Sequence, residues 1–125
     1  MSCVARALLG AGLLLAFCAP VAAQPALDRS AFDRACLENG TVLIGPIDPS
    51  LDRRTVLEPL CGCISGELSK FSQADIDMLA ADLSGSATEV DRAAYGDYAG
   101  LVSRASAVVT ACFADPRLLG APASQ

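Results

Sequence analysis

Apolar residues recur at intervals of three and four along most of this chain, which is the spacing of helices that bury one face. In the first such stretch, 28–38, Phe32 and Cys36 lie four residues apart. Asn39 and Gly40 follow, and glycine readily takes the left-handed conformation that ends many helices. The pattern predicts a first helix over 28–38 and a connecting loop after it, because two prolines interrupt TVLIGPIDPSLD.

A second helical pattern begins near Asp52 and carries a clear apolar stripe. Proline fits a helix in its first turn or at a kink, so Pro59 predicts that the regular helix begins near Glu58. The positions of this stripe are Leu57, Leu60, Cys61, Ile64, Leu68 and Phe71.

Two further helices are predicted in the second half of the chain. Ser72 can accept a hydrogen bond from a free backbone N–H, Asp75 complements the positive helix end, and Gly85 ends this third helix. The fourth and longest helix is predicted from Glu89 to Phe113, with Thr88 as its N-cap. The positions of this helix that are predicted to be buried are Ala94, Tyr98, Leu101, Ala105, Val108 and Cys112. A second stripe consists of small residues, which predict either close packing within the chain or a dimer interface. Its positions are Gly96, Gly100, Ser103 and Ala107.

The first 23 residues have the pattern of a secretory signal peptide. Arg6 precedes an apolar run, and Val21-Ala22-Ala23 is a suitable cleavage site. The bulky Phe17 disfavours lipidation of Cys18, and about 13 apolar residues are too few to span a membrane, which takes roughly 20. We therefore expect a mature chain without a stable membrane span, made of one helical domain over 24–115 and a disordered tail over 116–125.

Composition and charge narrow the function further. Removing 1–23 leaves eight basic and fourteen acidic residues, a net charge of −6, which disfavours binding to nucleic acid or to an anionic membrane. The whole chain has no histidine, so Ser-His-Asp and Cys-His catalysis, c-type haem attachment and most zinc and copper sites are excluded. The Ala-rich, Arg-over-Lys composition suggests a bacterial source.

Carboxylates are the remaining candidates for chemistry. The segment 48–52 resembles the start of a calcium loop, but Arg53 stands where that loop needs glycine and Pro59 where it needs glutamate. The acids of the third helix, Asp75, Asp77 and Asp82, are interpreted as a solvated face. The sequence thus assigns no catalytic residue, cofactor-binding residue or metal ligand.

Four cysteines remain after signal cleavage: Cys36, Cys61, Cys63 and Cys112. Each helical residue turns about 100°, so Cys61 and Cys63 point roughly 160° apart and can each reach a different neighbouring helix. That geometry disfavours a Cys61–Cys63 bond. It leaves open Cys36–Cys61 with Cys63–Cys112, or the crossed pairing.

These patterns predict an all-α fold, a small bundle of three to four helices held by two structural disulfides. The expected function is that of a non-catalytic, periplasmic or secreted binding or accessory protein whose partner is another exported protein. The alternative is a thiol-disulfide redox protein or a soft-metal (copper) protein that uses the Cys61-Gly62-Cys63 pair, for which a helix starting near Glu58 would lower the thiol pKa.

Overall fold

The computed structural model describes residues 25–118, which form six α-helices, one 3₁₀ turn and, within that range, no strand. The all-α fold with two disulfides is therefore confirmed. Four helices have ten or more residues, and the other two are a single turn and a six-residue segment. In chain order they are α1 (Ser30–Asn39), α2 (Thr41–Ile44), α3 (Arg53–Glu67) with the 3₁₀ turn Leu68–Lys70, α4 (Gln73–Ser84), α5 (Glu89–Ala94) and α6 (Tyr98–Phe113).

Both ends of the chain lie outside the described residues. They include the predicted signal peptide, 1–23, with Cys3 and Cys18, and most of the predicted tail. Of that tail, 116–118 are described, and there the Leu118 N–H donates to the Asp115 carbonyl in a turn (3.0 Å). Over 25–118, no helix has the length and apolar character needed to cross a membrane.

The core lies where α1, α3, α4 and α6 meet. Helix α1 packs against both α3 and α4, and α3 packs against α6. The stripe predicted for the second helical pattern is confirmed, since all six of its side chains are buried. The buried side chains form one cluster: Phe32, Ala35, Cys36, Leu57, Leu60, Cys61, Ile64, Leu68, Phe71, Ile76, Ala80, Leu83, Leu101 and Cys112.

The segment after α1 differs from the predicted loop, because 41–44 form the one-turn helix α2. Gly40 does end α1, but its φ is −60°, so the left-handed conformation is not the reason for glycine here. A Cβ at Gly40 would lie 2.8 Å from Leu57 Cδ2 and 2.4 Å from the Cys36 carbonyl oxygen. Glycine is therefore needed because a side chain at this position would overlap both the backbone of α1 and Leu57 of α3.

The predicted start of α3 near Glu58 is wrong, since the helix begins at Arg53 and contains Pro59. The Asp52 carboxylate accepts from both the Thr55 N–H (2.8 Å) and the Thr55 hydroxyl (2.7 Å) and so caps the first turn. Pro59 lacks one backbone donor, but the cap and the buried stripe on both sides of it favour a continuous helix. Cys61 and Cys63 consequently lie in the interior of α3 and not in its first turn.

Helix α4 has the predicted ends. Ser72 and Asp75 form a reciprocal capping box, in which the Ser72 hydroxyl accepts from the Asp75 N–H (3.1 Å) and the Asp75 carboxylate accepts from the Ser72 N–H (3.0 Å). Gly85 has a φ of 73° and ends the helix. Both ends follow from local side-chain and backbone preferences, which explains why the sequence was sufficient to place them.

The single helix predicted over 89–113 is wrong, because the chain breaks it into α5 and α6. Thr88 caps α5 as predicted. The break lies at Gly96, whose φ of 89° suits glycine, and Asp97 then caps α6 by accepting from the Gly100 N–H (3.2 Å). A Cβ at Gly100 would lie 2.2 Å from an Asp97 carboxylate oxygen, so glycine also makes room for this cap.

The break changes which residues face the core. Ala94 is exposed, contrary to its predicted burial, whereas Leu101 and Cys112 are buried as predicted. Among the small residues, Gly100 alone is half-buried, and Gly96, Ser103 and Ala107 are exposed. The predicted close packing of that stripe within the chain is therefore wrong.

Candidate functional site

The two cysteines of the Cys61-Gly62-Cys63 segment are bonded to different helices. Cys61 joins Cys36 at the end of α1 (S–S 2.00 Å), and Cys63 joins Cys112 at the end of α6 (S–S 2.07 Å). Both pairs have Cα atoms 5.9 Å apart, within the usual range for disulfides. Of the two pairings that the sequence left open, the chain has the uncrossed one.

Of the four disulfide-bonded cysteines, Cys63 is the one that solvent reaches. Cys36, Cys61 and Cys112 are buried, while Cys63 is half-buried. Within 25–118 no group of three or more histidine, cysteine, aspartate or glutamate side chains is arranged to hold a metal ion. In this disulfide-bonded form the segment offers no free thiolate for nucleophilic attack or copper binding.

An apolar groove with a volume of about 440 Å³ lies between α4 and α6. Its inner surface includes the buried residues Phe32, Ile64, Leu68 and Leu83, contributed by α1, by α3 with its 3₁₀ turn, and by α4. The volume falls within the range of about 300–1,000 Å³ typical of binding sites. The remaining lining residues are Val42, Leu43, Leu79, Asp82, Tyr98, Val102, Ala105, Ser106, Val108, Val109 and Thr110.

The rim of the groove exposes apolar side chains on two sides. Val42 on α2 is 77% exposed, and Val102 on α6 is 39% exposed. Along α6 the lining extends from Tyr98 to Thr110, a distance of about 18 Å at the helical rise. The groove is thus elongated and open to solvent, and its lining is mostly apolar, with Asp82, Tyr98, Ser106 and Thr110 as the polar members.

Among the described residues that line the groove, the charged one is Asp82. Asp82 belongs to a cluster of polar side chains that connects α4 to α5 and α6. Its carboxylate accepts from the Arg92 guanidinium (2.8 Å) and from the Tyr98 hydroxyl (2.6 Å). The hydrogen bond to Asp82 raises the pKa of both Arg92 and Tyr98. Arg92 also forms an ion pair with Glu89 at 3.1 Å. Asp82 is therefore a paired carboxylate.

Asp75, seven residues earlier on α4, has an equivalent set of partners. It accepts from the Tyr95 hydroxyl and lies 3.4 Å from the Arg104 guanidinium, which is positioned over the Phe71 ring at 5.7 Å. Burial alone would raise the pKa of Asp75, but hydrogen bonds from Tyr95 and Ser72 outweigh it, so the pKa is lowered. Burial and the bond to Asp75 raise the pKa of Tyr95 to about 12.

These two clusters attach the α5–α6 segment to α4. The raised pKa of Tyr95 and Tyr98 keeps both phenols protonated at neutral pH, and the lowered pKa of Asp75 keeps that carboxylate ionised. Each acid is already bonded to its donors, so neither is suited to accept a proton from a substrate. The arrangement therefore holds the two walls of the groove in position.

Sequence reasoning missed these clusters, because it interpreted the three acids of α4 as a solvated face. That interpretation is correct for Asp77, which is exposed, but the Asp75 and Asp82 side chains are only 15% and 20% exposed. Their spacing of seven residues puts both on one face of α4, which was the available signal. Their tyrosine partners, Tyr95 and Tyr98, lie at the break between α5 and α6, which the apolar pattern did not predict.

Comparison of the chain with protein-family models, with curated proteins and with solved structures finds no match.

Proposed function

We propose that this chain is a small exported, disulfide-stabilised binding or accessory protein without catalytic activity, and that its partner is another exported protein. The observation that carries the proposal is the open apolar groove between α4 and α6, whose polar neighbours are engaged with one another. Exposed apolar surfaces of this kind mark protein–protein interaction sites or ligand-binding grooves.

Export is supported by two independent features. Residues 1–23 have the charge, apolar run and cleavage site of a signal peptide, and the four cysteines that remain pair completely. Disulfides persist in oxidising compartments such as the periplasm or the extracellular space. The composition fits a bacterial source, so we propose a periplasmic or secreted protein.

The alternative, a thiol-disulfide redox or copper protein, has less support. Cys61 and Cys63 are bonded to Cys36 and Cys112, and three of these four cysteines are buried. Both also lie beyond the first turn of α3, so the positive helix end does not act on their thiols.

Stepwise reduction and alkylation tests this alternative. Because Cys61 and Cys63 are one residue apart, tryptic digestion leaves both in the peptide 55–70, and the two bonds must be opened one at a time. We expect the pairs 36–61 and 63–112, with both resistant to millimolar glutathione. Free thiols at 61 and 63, or a 61–63 bond that cycles with glutathione, would establish the redox function instead.

Site-specific photo-crosslinking in the cells that export the protein tests the binding function. A photoreactive amino acid is introduced at Val42 on the groove rim, and the same substitution at Val90 on α5 is the control, since the two positions are 77% and 75% exposed. We expect one discrete protein adduct from position 42 and none from position 90. Identical adducts from both positions, or none from position 42, would contradict the proposal.

A further inference from the structure

We infer that the groove between α4 and α6 binds an amphipathic helix of the partner, with the apolar face of that helix in the groove and basic residues flanking it. This inference rests on the proposed function, because it specifies the chemistry of the partner segment. It is carried by the shape of the groove and by the charge of the helices that form it.

The shape of the groove suits an extended apolar stripe. Tyr98, Val102, Ser106 and Val109 recur along one side of α6 over three turns and face Leu79 and Leu83 of α4. An amphipathic helix presents apolar side chains at the same three- and four-residue spacing, so it can place successive side chains along such a groove. The exposed Val42 and Val102 at the rim provide further apolar surface that a helix is wide enough to cover.

The charge of the groove walls favours a basic partner. The segment 71–118, which contains α4, α5, α6 and the turn after it, has seven acidic residues against three arginines, a net charge of −4. All three arginines already form ion pairs within that segment: Arg92 with Asp82 and Glu89, Arg104 with Asp75, and Arg117 with Asp115. In contrast, residues 25–70 have seven acidic and five basic residues, a net charge of −2. The negative potential is thus concentrated on the half of the molecule that forms the groove.

Two other occupants are less consistent with these observations. A small apolar ligand is normally enclosed on most sides, whereas this groove opens to solvent with Val42 77% exposed at its rim. A second copy of the chain would bring another strongly acidic segment against this one, which like-charge repulsion opposes.

Model peptides with one apolar face and opposite charges test the inference. Two helical peptides of about 18 residues carry the same leucine positions, with lysine at every polar position in one and glutamate in the other. Binding to the purified, oxidised protein is measured by fluorescence anisotropy at low and at high salt. Val42→Asn and Val102→Asn remove an apolar contact on either side of the groove without changing the charge, and Val90→Asn is the control at a position of similar exposure to Val42.

We expect the lysine peptide to bind at least about tenfold more tightly than the glutamate peptide, with a preference that decreases at high salt. Val42→Asn and Val102→Asn should each weaken binding of the lysine peptide by about tenfold or more, while Val90→Asn leaves it within about twofold. Circular dichroism of each variant checks that the helices are retained, and both test positions are exposed enough to tolerate a polar residue.

Several results would overturn the inference. They are equal binding of the two peptides, equal weakening by Val90→Asn, binding of the neutral dye N-phenyl-1-naphthylamine in the groove without peptide binding, and a dimer that Val102→Asn dissociates. If a crosslinked partner is found from position 42 while the peptides show no charge preference, the binding function stands and the basic-helix inference is wrong. If position 42 yields no adduct, the proposed function itself fails, whatever the peptides do.

Discussion

At the scale of single residues, the most informative positions are those where the side chain is constrained by a distant neighbour. Gly40 lies against Leu57, and Tyr95 lies against Asp75, in each case across a gap in sequence that no local pattern connects. The sequence identifies both residues as unusual only in general terms, one as a glycine and the other as one of two tyrosines. Their roles depend on what the fold places beside them.

Gly40→Ala should destabilise the protein by about 1–3 kcal/mol, because the added methyl group overlaps Leu57 and the Cys36 carbonyl. The matched control is Gly66→Ala in α3, where a Cβ meets no atom within 4 Å and alanine favours the helix. Urea unfolding at neutral pH gives both values. A Gly40→Ala midpoint equal to or above the Gly66→Ala midpoint would contradict the close approach of Gly40 to α3.

Tyr95 should make stability depend on pH in the alkaline range. Its pKa is raised from 10.0 to about 12 by burial and by the bond to Asp75, so the folded protein retains the phenol proton longer than the unfolded chain. The resulting stabilisation is complete below pH 10 and is lost as the pH rises from 10 to about 12. The difference in the free energy of unfolding between wild type and Tyr95→Phe should therefore shrink over that range. A constant difference in urea unfolding series would show that Tyr95 does not titrate with a raised pKa.

At the scale of elements, local signals predicted the helix ends that are local in origin. The Ser72–Asp75 capping box, the Thr88 cap and Gly85 all appear where their residue types predicted them. The two incorrect predictions, the start of α3 near Glu58 and the continuous helix over 89–113, arose where contacts with other helices outweighed the local signals. Packing on both sides of Pro59 keeps α3 continuous, and the break at Gly96 lets two tyrosines reach α4. A break of three residues hardly changes the three- and four-residue spacing of apolar positions, because three residues make almost one helical turn. That spacing therefore predicted one continuous helix over 89–113.

Gly96→Ala should destabilise the protein by about 1–2 kcal/mol, because the φ of 89° at this position is strained for any residue with a Cβ. Gly62→Ala in α3 is the control, since Gly62 is helical and a Cβ there meets nothing within 4 Å. Thermal unfolding followed by circular dichroism compares the two. If Gly96→Ala is as stable as Gly62→Ala, the 89–113 segment tolerates a continuous helix and the break is not required.

At the scale of the whole molecule, the two disulfides connect α3 to both of its neighbours. They close loops with sequence separations of 25 and 49, which in the chain-entropy treatment correspond to about 3.5 and about 4 kcal/mol. A domain of this size has a total stability of about 5–15 kcal/mol. The disulfides are therefore a large part of what keeps this small core folded.

Removing the disulfides should have graded effects. The paired variants Cys36→Ala/Cys61→Ala and Cys63→Ala/Cys112→Ala should each lose about 2–5 kcal/mol, and the fully reduced wild type should be largely unfolded at room temperature. Urea unfolding of each variant and circular dichroism with and without excess dithiothreitol measure these losses. Cooperative unfolding of the reduced chain within about 1 kcal/mol of the oxidised protein would show that the helical core is sufficient.

The sequence by itself determined the helical class, most buried positions and the need for two disulfides, because periodicity, capping residues and a cysteine count are properties of short segments. It also excluded imidazole chemistry through the absence of histidine. Tertiary structure alone decided the disulfide pairing, the two Tyr-Asp-Arg clusters and the groove between α4 and α6. Each of these depends on how far apart two helices lie, and that distance is set by the packing of the whole core.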